Sequence, residues 1–375
     1  MKLAIISHTE HYKTEEGVIV GWGPTVSEIN HLLNIFDTIY HIAMLHQENA
    51  PPSALPYISD RVKFIALKPS GGRTLFSKLE TIFQAPRTIT IVSKTLKEVD
   101  CFQLRTPTGI AVYLIPYLTL FSKKKGWYKY AGNWNQKKPP LGYRLQRWML
   151  LNQSRKVTLN GQWNKQAMHC YTFENPCLED KEIEEGIAIR KQKNIKGPLQ
   201  FCYVGRLEKP KGVERIINAF KILSDKQKER IGCVHLVGDG SEYDFFKNLA
   251  NTTGILFKFH GFLPRQEVFD IYKQSHVFVM PTTASEGFPK VIAEAMNYGC
   301  LPIVSNISSI GHYIKHQQNG FLLNTVTADD LLIEIRKILE LNNTDYKTMI
   351  NNQDKMLIKF TFSHYGNRIL NDILK

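Results

Sequence analysis

Residues 199–212 read LQFCYVGRLEKPKG, and this stretch decides the fold. Its first residues are mostly apolar, with Gln200 the one polar side chain before Gly205, as suits a strand covered on both faces of a parallel sheet. Gly205 closes the run, Arg206 and Lys211 flank a short turn, and Gly212 opens a helical pattern. A strand, a glycine turn and a helix in that order make a βα unit. Two cations beside a helix N-terminus can converge on an anion. The plainer alternative is a basic surface turn.

The same alternation continues downstream. VHLVGDG (234–240), LFKFHGF (256–262), VFVMP (277–281) and LPIVS (301–305) read as strands, with helices up to about 252, over 264–274 and over 287–298. Upstream, KLAIISH (2–8), TIYHIAML (38–45), VKFIAL (62–67) and CFQLR (101–105) are strand-like. Helices are expected over 24–36, starting at a Thr25/Glu28 capping box, over 74–98 and over 141–153. Between the two series, residues 174–198 are polar, mixed in charge and closed by Gly197–Pro198. They read as a linker, part of which could be helical.

A chain of 375 residues exceeds what one core usually serves. The expectation is two doubly wound α/β domains, 1–180 and 181–355, facing each other across a cleft. An amphipathic helix over 356–375 closes the chain. Ligands of such folds sit at the carboxyl ends of the strands.

Composition narrows the class. Hydrophobic residues make up 43% and charged residues 22%, as in an ordinary globular protein. Six scattered cysteines form neither a CxxC pair nor a Cys/His cluster, which argues against a disulfide framework or zinc site and fits a reducing cytoplasm. The longest apolar run, 110–121, is shorter than the ~20 residues a spanning helix needs. Net charge is +14, and residues 101–173 contain twelve Lys or Arg and no Asp or Glu. Something acidic is expected to meet that segment.

A second group of chemical interest is SEGFPKVIAEAM, 285–296. Glu286 follows a strand in a Gly-Pro loop, and Glu294 lies eight residues on, within the expected helix. Two helical turns would hold the carboxylates ~11–12 Å apart, so they would address different parts of one elongated ligand. Taken singly, Glu286 could be a dipole partner and Glu294 a solvated helix residue.

Together with the 205–212 turn, this pair resembles family 4 retaining glycosyltransferases of the GT-B fold, bacterial surface-polysaccharide type. Gly238-Asp239-Gly240, Phe259-His260-Gly261-Phe262 and Asn319-Gly320-Phe321 belong to the same resemblance. It implies that Gly205, Arg206 and Lys211 meet the donor's pyrophosphate and that Glu294 holds the ribose hydroxyls. It also implies that Glu286 and the backbone of Gly287, Phe288 and Pro289 hold the donor sugar, with His260, Gly261 and Phe262 at the base. Arg206, Lys211 and Glu286 are the catalytic candidates. In the first half, Gly21 and Gly23 take the place of a glycine-rich loop whose amides approach the donor phosphates. Arg105 stands where family members often place a histidine, which suggests an acceptor-side role. The final helix crosses back onto the first domain in this family.

Fixed cations stabilise the charge that develops on a departing diphosphate. No Asp-x-Asp motif occurs in a loop context, so neither a metal nor another cofactor is expected. The resemblance further implies retention of anomeric configuration, a UDP-linked donor with GDP as the next choice, and a saccharide or polyprenyl-diphosphate-linked acceptor. The basic segment is interleaved with Trp127, Tyr128, Tyr130, Trp134, Trp148 and Trp163, a mixture suited to an anionic bilayer interface or to a solvated basic face. The expected location is the cytoplasm, with peripheral contact at the inner membrane face on the first of these two readings. Nucleic-acid binding lacks a reader module here. A sugar-nucleotide epimerase using His8, His11 or His260, or a non-catalytic sugar-nucleotide binder, would share the same donor cradle.

Overall fold

The computed structural model describes residues 1–72 and 74–375. They divide into two compact units, Met1–Asn175 with Phe362–Lys375, and Pro176–Thr361. The boundaries fall near 175 and 361, and the final helix belongs to the first unit.

Nine strands build the first unit: β1 (Lys2–Lys13), β2 (Ile19–Trp22), β3 (Thr38–Leu45), β4 (Ala54–Pro56), β5 (Val62–Leu67), β6 (Cys101–Thr106), β7 (Lys125–Tyr130), β8 (Val157–Leu159) and β9 (Cys170–Thr172). β1 lies centrally, parallel to β3 on one side and β6 on the other. β5 extends the β3 side, and β7, β8 and β9 extend the other, all parallel. Beyond Ile6 the register of β1 shifts, and its far end pairs antiparallel with β2. The helices are α1 (Gly23–Leu32), α2 (Leu75–Phe83), α3 (Ala85–Glu98), α4 (Ala111–Phe121) and α5 (Leu141–Leu151). Val92, Leu96, Leu114, Leu118 and Leu150 from α3, α4 and α5 cover one sheet face. Ile29 and Leu32 of α1, with Tyr365, Ile369 and Ile373 of the C-terminal helix, cover the other.

Three expectations change in this unit. The segment 74–98 is two helices, because Pro86 sits at the start of α3 and cannot continue the hydrogen-bond ladder of α2. The Thr25/Glu28 capping box is absent: α1 begins at Gly23 with no side-chain cap. Glu28 instead accepts from Arg105 (2.9 Å), Lys129 (2.7 Å) and Tyr365 (3.0 Å). All four residues are buried, and a buried carboxylate must be paired. Gly21 and Gly23 form no loop either. Gly21 lies in β2 opposite His11, where a Cβ would stand 2.2 Å from the imidazole.

The second unit has six strands, β10 (Leu199–Val204), β11 (Ile231–Val237), β12 (Phe257–Gly261), β13 (Val277–Met280), β14 (Leu301–Ser305) and β15 (Phe321–Leu323). They are parallel, in the order β12-β11-β10-β13-β14-β15. Strand order reverses between β10 and β13, and this switch point is where doubly wound sheets open a ligand crevice. Its helices include α6 (Asp180–Gln192), α7 (Val213–Lys221), α8 (Asp225–Lys228), α9 (Tyr243–Ala250), α10 (Arg265–Gln274) and α11 (Lys290–Asn297). The expected linker is thus partly α6. A Glu179/Glu182 capping box starts it, and Gly186 lets it approach the Asn297 carbonyl, from which an added Cβ would stand only 2.4 Å away.

Candidate functional site

The loops after β10 and β13 flank the switch point of the second unit, and backbone contacts fix them to each other. Gly212 adopts φ +97°, and a Cβ there would lie 2.3 Å from the Pro281 carbonyl oxygen. The Pro210 carbonyl accepts from Thr283 N (2.8 Å), Thr283 Oγ1 (3.2 Å) and Thr282 Oγ1 (3.3 Å). On the β11 side, a Cβ at Gly238 would stand 2.0 Å from the Gly205 oxygen, and one at Gly240 2.3 Å from the Leu207 oxygen. Only glycine admits these approaches. Leu207 N donates to Asp239 O (2.9 Å), so the loops after β10, β11 and β13 form one braced rim.

The bracing brings Lys211 to Glu286. Their side chains form an ion pair across 75 residues of sequence. Lys211 is largely buried, whereas the Glu286 side chain keeps 42% of its exposure. One end of the pair is anchored and the other is open to a ligand. Arg206 projects from the same rim, 69% exposed, and pairs with Glu208 at 3.0 Å. Tyr203 donates its hydroxyl to the Arg206 carbonyl (2.7 Å) and so fixes the backbone of that turn. In ligand-free form each rim cation thus has a carboxylate partner, and an arriving diphosphate can compete for both.

Glu286 precedes α11, which begins only at Lys290 with Pro289 as its N-cap. The two-turn separation expected between Glu286 and Glu294 therefore does not hold, since only Glu294 is helical. Phe288 is buried against Tyr313 and Phe360 and anchors the entry to α11. Gly287 and Pro289 lead into the first turn of α11, where Ile292 N donates to the Pro289 carbonyl (3.1 Å) and the positive end of the helix dipole lies. Glu294 is half-buried in α11. Burial raises its pKa, against the pull of Arg265 and Lys290. Arg265 itself is held by Glu182 and donates to the Cys177 carbonyl at 2.5 Å. Sequence reading missed Glu182 and Arg265 because the pairing spans 83 residues and links α6 to α10.

His260 occupies a bulge in β12, between Phe259 opposite Leu236 and Gly261 opposite Val237. Its Nε2 stands 3.0 Å from His235 Nδ1, and the rings stack. Burial lowers both pKa values, that of His235 to about 4, so the pair is neutral at physiological pH. Gly261, at φ +65°, has open space where a Cβ would be, and Phe262 is exposed beside it.

Arg105 lies inside the first unit. Its guanidinium is buried and donates to Gln103 (3.0 Å), Thr25 (3.3 Å) and Glu28 (2.9 Å), which makes it a counter-ion of Glu28. Tyr57 and His11 (2.9 Å) join a chain of hydrogen bonds with His41 (2.6 Å) and Ser7 (2.8 Å) beneath Gly21.

Residues 186–356 match the family model described as Glycosyl transferases group 1. An uncharacterised glycosyltransferase of Methanocaldococcus jannaschii is 30% identical over 168 residues, 44% of this chain and 40% of that one. The lipopolysaccharide 1,6-galactosyltransferase of Salmonella typhimurium is 31% identical over 148 residues, 38% of this chain and 40% of that one. The chain thus spans about two fifths of the length of these curated relatives. Over its whole length it is similar in fold to Anabaena HepE, solved in complex with UDP, with a TM-score of 0.69, 16% identity and 100% coverage of both chains. Residues 186–356 are therefore similar to glycosyl transferases group 1, in a chain of GT-B fold.

Proposed function

We propose that the chain is a retaining glycosyltransferase that moves a sugar from a UDP-linked donor to a saccharide or lipid-linked saccharide of a surface polysaccharide, without a metal ion. The observation that carries this reading is the Lys211–Glu286 pair, seated at the switch point of a parallel sheet on a glycine-braced rim. The UDP held by HepE supports the choice of base, and the lipopolysaccharide galactosyltransferase supports the class of acceptor.

On donor binding, Lys211 exchanges Glu286 for a phosphate oxygen, and Glu286 accepts hydrogen bonds from hydroxyls of the donor sugar. Arg206 leaves Glu208 for the same diphosphate, and the Glu294 carboxyl accepts from the ribose. The acceptor oxygen bonds to the anomeric carbon on the face from which the diphosphate departs. As the carbon–phosphate oxygen bond breaks, the departing oxygen takes the acceptor's proton. Negative charge grows on the phosphates in that step, where Lys211 and Arg206 stabilise it most. A lipid-linked acceptor would place this reaction at the inner face of an anionic membrane.

The test is turnover of UDP-glucose and UDP-galactose in EDTA with oligosaccharide acceptors, reading the anomeric configuration of the product by NMR. Retained configuration with undiminished rate is expected. An inverted product, or a rate restored only by added divalent metal, contradicts the mechanism.

A further inference from the structure

Two helices of the first unit carry large apolar side chains on their exposed faces. In α5, the buried positions are Gln146 and Leu150, while Leu141 (73% exposed), Leu145 and Trp148 (61%) face solvent at helical spacing. In α2, Thr81 is buried, while Phe76 (79%), Leu79 and Phe83 (81%) are exposed. The same turn after β6 anchors both. Gln146 accepts from Thr108 N (3.1 Å) and donates to Thr108 O (2.8 Å), and Thr81 lies against Gly109. Two exposed apolar stripes thus flank one turn at the carboxyl end of the sheet. Patches of this kind mark an interaction surface.

Charge identifies the occupant. Arg87, Lys137, Lys138 and Arg144 are exposed on or beside these helices. No Asp or Glu occurs from 81 to 97 or from 101 to 173, and Glu80 is paired with Lys68 at 3.3 Å. Large exposed apolar side chains with exposed cations on or beside the same helices match an anionic lipid surface, with acyl chains for the former and phosphate headgroups for the latter. Among the described residues no helix is long and apolar enough to cross a membrane, so contact would be superficial. Of the aromatics interleaved in the basic segment, Trp148 belongs to this surface, whereas Trp127, Tyr128 and Tyr130 are buried, and Lys129 is bound to Glu28.

We propose that the outer faces of α2 and α5 dock the protein onto an anionic bilayer, with the carboxyl end of the first sheet turned toward the lipid. This rests on the reading of a lipid-linked acceptor given above and names the surface that would meet it. The test floats the full chain on density gradients with phosphatidylglycerol or phosphatidylcholine vesicles, beside a Phe76→Ser, Phe83→Ser, Leu141→Ser, Trp148→Ser variant. Wild type is expected to float with phosphatidylglycerol only and to be released by salt, and the variant to bind about tenfold less or weaker. A UDP-induced thermal shift equal in both proteins would show that the variant is folded. Failure of wild type to float, equal flotation with both lipids, or flotation of the variant like wild type overturns the proposal. So does a wild-type dimer that the variant dissolves while neither floats, since the face would then bind a second copy. Flotation as expected with no UDP response in wild type sinks the sugar-nucleotide reading and leaves the docking surface standing.

Discussion

Lys211 and Glu286 neutralise each other in the ligand-free protein, and their exposures differ enough to assign roles. The anchored ammonium is positioned for charge that develops during bond cleavage, and the exposed carboxylate for hydroxyls that arrive with the sugar. Lys211→Ala is expected to lower kcat by about 10²–10³, the scale for losing one preorganised electrostatic partner, with a smaller change in donor KM. Steady-state kinetics check this, and turnover unaltered in Lys211→Ala and Glu286→Ala would remove both from the mechanism. Glu28 makes a different prediction. Its carboxylate accepts from Arg105, Lys129 and the Tyr365 hydroxyl. Glu28→Gln leaves buried cations short of an anion, and a loss of about 3–5 kcal/mol in unfolding free energy is expected by denaturant titration. A loss below ~1 kcal/mol would show that the cluster is solvated.

At the level of elements, the site depends on loops that approach each other through glycine. Gly212→Ala places a side chain at φ +97° and against the Pro281 carbonyl, whereas Gly197 has open space around it. The first substitution is expected to lower stability by about 1–3 kcal/mol and weaken UDP binding, and Gly197→Ala to do neither. Equal behaviour of the two variants in thermal melts and UDP titrations would contradict the bracing argument. The parallel strands β1, β3, β5, β6 and β10 to β14 were legible because strands covered on both faces read as mostly apolar runs, whereas the short β2, β4, β8, β9 and β15 were not. The glycines of the rim were legible too, since Gly205 follows the end of β10, Gly212 opens α7 and Gly287 stands just before α11. What stayed hidden involves distant partners. Glu28 has the spacing of a capping residue, and only the approach of β6 and β7 turns it into a buried counter-ion. Gly21 has the look of a loop glycine, and only its register opposite His11 shows a strand residue packed on an imidazole. The polar segment 174–198 conceals α6 for the same reason: its burial rests on Asn297, far along the chain.

Across the whole molecule, burial holds His11, His235 and His276 at a pKa of about 4. The unfolded chain takes up protons at these sites below about pH 6.5, while the native protein does not until near 4. The unfolded state therefore binds more protons in that window, and stability falls as pH drops through it. Glu294, with its raised pKa, acts in the opposite sense but is a single group. Calorimetric scans should show Tm decreasing steadily from pH 7 to 5, and a flat or rising Tm would contradict the burial of these imidazoles. Both units contribute, since His11 lies in the first and the other two in the second. The central claim, that the rim of the second unit holds a nucleoside diphosphate, is tested most directly by calorimetric titration of UDP into wild type and Lys211→Ala. The account predicts saturable one-site binding that weakens by about tenfold or more in the variant, the loss of a charge-assisted phosphate contact. Absence of binding by wild type, or equal affinity in the two proteins, would contradict it.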